Sequence, residues 1–177
     1  MPSGYLKVEY DFCRTNPFIS EFSPHGRVLD IQQQGTDCTQ SMLIDPVYFD
    51  LRLPQKFDQA RIKLWYQKES QTSLQIGPAL DLDNWQWQLQ DIHYLTTKDN
   101  WLFGTAQYDL THVQMDNNRL RFLISSPGLD TSGQEIIFNK IEIEFINPPL
   151  DCWTQLKNWL KFTNLYFLTT WKIFSTH

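Results

Sequence analysis

A chain of 177 residues is long enough for one generous domain, or a domain with an appendage, to bury a core without help from metal or disulfide. Hydrophobic residues at 41% and charged residues at 20% exclude a disordered chain. A formal charge of −5, with no stripe of Lys and Arg, excludes nucleic acid as the main partner.

Along the first 146 residues apolar side chains recur at every second position, the period of half-buried strands. Leu6, Val8 and Tyr10 alternate with Lys7 and Glu9. Residues 11–45 are less regular: Asn16-Pro17, Ser23-Pro24-His25-Gly26 and Gly35 mark loops around a short strand expected at 27–31, and this stretch is expected to wrap the domain. Val47, Phe49 and Leu51 then alternate with Tyr48, Asp50 and Arg52 until Pro54 stops the run. Ile62 and Leu64 alternate with Arg61, Lys63 and Trp65, which places Trp65 on the face opposite the apolar pair. Leu74 and Ile76 alternate with Ser73 and Gln75, and Gly77-Pro78 is expected to break that strand. Trp85, Trp87 and Leu89 share one face, with Gln86, Gln88 and Gln90 on the other; such a face is the kind a sandwich buries.

Leu120, Phe122 and Ile124 alternate with Arg119 and Arg121 before a turn at residues 125–128, and Ile141, Ile143 and Phe145 alternate with Lys140, Glu142 and Glu144. Many short strands, no long amphipathic helix among them and no crossover helix predict an all-β, antiparallel β-sandwich of the jelly-roll type over residues 1–149. After Pro148-Pro149 the character changes. Residues 150–177 are rich in rings, and the spacing 153, 156, 160 and 159, 162, 166 fits an aromatic-rich C-terminal helix. It is too interrupted to span a membrane. With Lys157, Lys161 and Lys172 interleaved, residues 153–174 suit a membrane interface, a helix packed on the sandwich itself, or an oligomer contact.

Little in the chain supports catalysis. The four His, at 25, 93, 112 and 177, form no metal-binding pair, and there is no nucleophile elbow and no phosphate-binding loop. A hydrolase would need two carboxylates placed across a cleft, and the acidic residues here alternate mostly as solvated strand faces. The Cys at 13, 38 and 152 match no zinc or redox spacing; three reduced thiols are expected, a Cys13–Cys38 cystine being the alternative in an exported protein. The first ten residues show no signal-peptide pattern, which leaves a cytoplasmic location and an upstream export signal or membrane helix both open.

Two features carry the functional expectation. The segment Asp81-Leu82-Asp83-Asn84 has the alternating oxygen donors that a structural calcium takes, with Asp81 and Asp83 as candidate ligands, although the same residues populate turns for local reasons. Trp65, Trp85, Trp87 and Trp101 are candidate ligand-binding rings, because a flat indole can stack on the apolar face of a sugar while neighbouring Gln, Asn and Asp bind its hydroxyls.

The stretch from Asp45 to Pro54, the strand end at 74–78 and the closing strands at 120–125 and 141–145 resemble the jelly rolls of galactose-binding-like domains and carbohydrate-binding modules. They are also similar to β-sandwich domains found beside a membrane helix in bacterial surface proteins. The resemblance covers about residues 27–146 and rests on pattern, with no motif matched position by position. It implies ligand recognition by loops or a sheet face, often with bound calcium. The expected function is a non-catalytic module that recognises a glycan or surface polymer, extracytoplasmic or at the cell surface. The alternative is a structural or assembly protein of a surface or membrane-associated complex, docking on like subunits or another protein surface.

Overall fold

Alternation becomes strand pairing wherever one face can be buried. The computed structural model describes residues 4–68, 73–98 and 101–148, apart from the side chains of residues 34 and 94–98. Its strands are β1 (Tyr5–Tyr10), β2 (Gln32–Gln34), β3 (Asp37–Met42), β4 (Val47–Arg52), β5 (Gln59–Lys68) and β6 (Gln75–Asp81). They continue with β7 (Gln86–Trp87), β8 (Gln90–Asp91), β9 (Tyr94–Lys98), β10 (Trp101–Asp109), β11 (Arg119–Ser125) and β12 (Ile136–Ile146), and a short helix α1 (Leu129–Ser132) precedes β12.

Every pairing is antiparallel. A seven-stranded sheet runs β2-β3-β12-β5-β10-β9 with β1 also on β12; a five-stranded sheet runs β4-β11-β6-β7 with β8 also on β6. The inward faces share one core, in which Ile62, Leu64 and Tyr66 of β5 and Ile141, Ile143 and Phe145 of β12 are buried together with Phe49 and Leu51 of β4 and Phe122 of β11. The Tyr108 hydroxyl donates to the Ile76 carbonyl, joining β10 of one sheet to β6 of the other. The antiparallel sandwich expected from the alternation is therefore present within Gly4–Asn147.

The strand β12 organises the larger sheet. Its pairing with β5 shifts register between Phe138 and Lys140. This bulge changes which parity points inward: Ile136 and Phe138 are buried before it, and Ile141, Ile143 and Phe145 after it. On the other side of β12, β3 takes residues 136–138 and β1 takes residues 141–146, so two strands meet end to end along one edge. There Cys13, just beyond β1, is bonded to Cys38 of β3. The expectation of reduced thiols at 13 and 38 is thus corrected: pairing both strands to β12 brings the two sulfurs together across 25 residues of sequence. Cys152 and the segment 153–174, with its expected helix, lie outside the described residues.

Other expectations also change. The strand expected at 27–31 lies at Gln32–Gln34, and Val28 makes only a single bridge to Met42. Residues 18–23 run along the free edge of β4, with Ser20 N donating to the Asp50 carbonyl at 2.8 Å and Arg52 N to the Phe18 carbonyl at 2.8 Å; an open edge is covered. Gly77-Pro78 does not end β6. The Pro78 carbonyl accepts from Gln88 N at 3.0 Å, so its missing N–H faces the irregular edge between β7 and β8, where no regular partner is lost. Gly77 is required at that edge, because a Cβ would stand 2.0 Å from the Gln88 carbonyl oxygen.

Candidate functional site

The outer face of the seven-stranded sheet is set by what its strands bury. With Leu64 and Tyr66 turned into the core, Trp65 must point outward. On β10 the inward positions are Gly104, Ala106 and Tyr108, which turns Phe103 and Thr105 out, and Trp101 shares their face as a half-buried ring. Gly104 leaves room for Ile92, whose Cγ2 would lie 2.4 Å from a Cβ there. Register then aligns Lys140, Trp65 and Phe103 across β12, β5 and β10. The Trp65 and Phe103 ring centroids are 4.9 Å apart with planes at 45°, and Lys140 Nζ lies 5.2 Å from the Trp65 ring. An ammonium at that distance is attracted to the indole face and fixes a polar donor beside it.

Charges fill the rest of this face towards β1. Glu142, almost fully buried, receives Lys63 Nζ at 2.7 Å and Lys7 Nζ at 2.9 Å, and Lys63 also reaches Glu144 at 2.7 Å. Glu9 binds Lys7 at 2.8 Å and Lys140 at 3.1 Å. The hydrogen bond from Lys7, aided by Lys140, holds the Glu9 carboxyl down at about 2, and Lys63 lowers that of Glu144. A carboxylate whose folded value is depressed stabilises fully above its unfolded value and stops doing so as pH falls through the folded one. The thermal midpoint is therefore expected to hold at higher pH and to fall between the ordinary value of 4.5 and about 2, less steeply in high salt because Glu9 is half-exposed. A midpoint flat across that window would contradict this network.

The other two predicted rings occupy the other sheet. Trp85 and Trp87 were expected to face the core with Leu89, and this is corrected: Trp85 is 69% exposed, Leu89 36%, and Trp87 half-buried. The alternation fails because Trp85 belongs to the turn between β6 and β7, in a left-handed conformation at φ 53, and strand pairing begins only at Gln86. The two ring centroids are 6.4 Å apart with planes at 46°. The structure thus brings Trp65 together with Trp101 on one sheet face and Trp85 together with Trp87 on the edge of the other sheet. Phe103 and Lys140 are site residues that sequence reading missed.

Asp81 makes the Trp85 turn. Its Oδ1 accepts from the backbone N–H groups of Asp83 and Asn84, at 2.9 and 3.0 Å, and its Oδ2 from Asn84 Nδ2 at 2.7 Å. These bonds hold its carboxyl below the usual range, the Asn84 side chain contributing most. A calcium at Asp81 and Asp83, the ligands expected from the sequence, would share the Asp81 oxygens with these N–H groups. Among the described residues no group of three or more His, Cys, Asp or Glu stands close enough to hold a metal.

No protein-family model matches the chain, and no curated protein matches it. Solved structures do. A xylan-binding module of the CBM15 class is similar with a TM-score of 0.53 at 20% identity, over 82% of this chain and 100% of that one. The CBM22-1 xylan-binding domain of Paenibacillus barcinonensis Xyn10C is similar with a TM-score of 0.51 at 11% identity, over 80% and 95% of the two chains. At such identities the likeness speaks for architecture. The chain has the β-sandwich fold of carbohydrate-binding modules.

Proposed function

We propose that the chain is a non-catalytic module that binds a glycan on the outer face of the seven-stranded sheet, with Trp65, Phe103 and Trp101 as the stacking surface. The observation that carries the reading is the Trp65–Phe103 pair at 4.9 Å, turned away from the core beside Lys140. Two large rings on a sheet surface cost hydration unless something apolar covers them, and a pyranose or pentose offers a flat C–H face of matching size with a rim of hydroxyls. Lys140, Lys63 and Thr105, on the same face, are placed to meet those hydroxyls. Glu142 and Glu144 are both engaged by Lys63, which suits a binding surface better than a pair of carboxylates poised for hydrolysis. Trp85 and Trp87 offer a further ring pair of the same chemistry. The Cys13–Cys38 cystine supports residence in an oxidising compartment, outside the cytoplasm or at the cell surface.

The xylan-binding modules that share the fold make xylan the first polymer to test. Titration of tryptophan fluorescence with xylan and a panel of other neutral polysaccharides is expected to saturate with at least one of them. Trp65→Ala is expected to weaken that binding about tenfold or more, a loss of roughly 1.4 kcal/mol, while Trp65→Phe retains most of it. The fold should survive, since Trp65 lies outside the core. Silence across the panel, or an alanine variant that binds like the natural chain, would overturn the proposal.

A further inference from the structure

Arg52 and Arg119 are direct cross-strand partners in the β4–β11 pair, on the outer face of the five-stranded sheet. Like charges directly opposite each other weaken a strand pair. The one carboxylate beside them, Asp50, is nearly buried and already shared: Arg119 Nη2 donates to Oδ2, Arg121 Nε donates to Oδ1 at 2.7 Å and Arg121 Nη2 to Oδ2 at 3.0 Å. Arg121 is also stacked 4.5 Å over the Tyr48 ring. Arg52 is exposed and has no acidic partner among the described residues. Three guanidinium groups and one carboxylate leave an excess of two positive charges here, on a chain whose formal charge is −5.

Between this pair of strands and the segment that covers the β4 edge lies a cavity of about 230 Å³, whose lining includes Arg52, Arg119, Asp50 and Phe18. Phe18 is 38% exposed although it sits in a well-anchored segment, its carbonyl taken by Arg52 N and its N–H donated to Asn16 Oδ1 at 2.8 Å. Asp50 orients Arg119 from one side, so one guanidinium is fixed before any ligand arrives, while the other remains uncommitted. A planar fork recognises a carboxylate through two parallel hydrogen bonds, and the adjacent exposed ring suits the apolar face of the sugar that bears it.

We propose that this cavity is a separate binding site for the carboxylate of an acidic sugar, with Arg52 and Arg119 gripping the anion and Phe18 stacking on the ring. The choice of a sugar as occupant rests on the glycan-binding reading above; the anion site itself rests on the arginines. The test is calorimetric titration of the full chain with trigalacturonate and, as its neutral counterpart, galactotriose. Trigalacturonate is expected to bind at least tenfold more weakly to Arg52→Ala, with Arg52→Lys recovering only part of the loss because an ammonium lacks the fork. Galactotriose should be indifferent to both changes. Arg52 is exposed and has no ion-pair partner among the described residues, so these variants should fold, which circular dichroism checks.

Equal binding of trigalacturonate by the natural chain and Arg52→Ala, or no binding by either, would overturn the site. Displacement of trigalacturonate by an equal concentration of sulfate would reduce it to a plain anion site and overturn the sugar assignment. Binding of acidic sugar that depends on Arg52, in a chain blind to every neutral polysaccharide, would uphold this site and defeat the aromatic face. Neutral binding that depends on Trp65, with no effect of Arg52 on any ligand, would do the reverse.

Discussion

Replacing Phe22 by alanine is expected to cost roughly 3–5 kcal/mol of folding stability, the range for an aromatic removed from a packed core. That is a large part of the 5–15 kcal/mol by which domains are usually stable. Phe22 is fully buried, and its ring touches three parts of the molecule at once. It meets Phe12 at 5.4 Å edge-on, Phe49 of the five-stranded sheet at 5.9 Å, and Phe138 of the seven-stranded sheet at 5.4 Å edge-on. No single strand can close over the hole, because the neighbours belong to both sheets and to the stretch just beyond β1. Urea unfolding of the variant measures the loss; a change below about 1 kcal/mol would mean that residues 18–23 are a dispensable cover.

Breaking the Cys13–Cys38 bond is expected to cost about 3–4 kcal/mol, the chain-entropy estimate for a loop closed across 25 residues. The bond holds the end of β1 against β3 at the place where both leave the same edge of β12. Cys13 is exposed, so reductant can reach it. The double variant Cys13→Ser/Cys38→Ser and the reduced natural chain should therefore lose the same amount, and reductant should not move the variant further. A natural chain whose unfolding curve ignores reductant would contradict this account of the β1–β3 junction.

The sandwich was legible wherever alternation continued uninterrupted on a strand with large inward residues, as in β1, β4, β5, β11 and the second half of β12. It was illegible where geometry changed the parity or size made the inward face quiet. The first half of β12 is out of phase with the second because of the bulge between Phe138 and Lys140. The strand β10 hides its core face behind Gly104 and Ala106, and at Gly104 Ile92 leaves no room for a side chain. The strand β3 was missed because it buries polar residues on both faces, Gln40 on one and Ser41 on the other, the Gln40 amide donating to the Leu29 carbonyl at 3.3 Å.

At the candidate site, Trp65 could be assigned to the outer face from β5 alone. Its partners could not: Phe103 and Lys140 stand beside it through register with β10 and β12, and register is a property of the paired sheet. Trp85 misled for the opposite reason. Its spacing to Trp87 copies a strand, but the Asp81 carboxylate folds that stretch into a turn and puts the indole into solvent.

The most direct measurement follows the indole N–H signals of the seven tryptophans while a saturating neutral oligosaccharide is added. A glycan lying on the seven-stranded sheet should shift the signals of Trp65 and Trp101 in step with binding. Saturable binding that leaves both of them where they were would show that the sugar lies elsewhere, and the outer face of that sheet would no longer be the site.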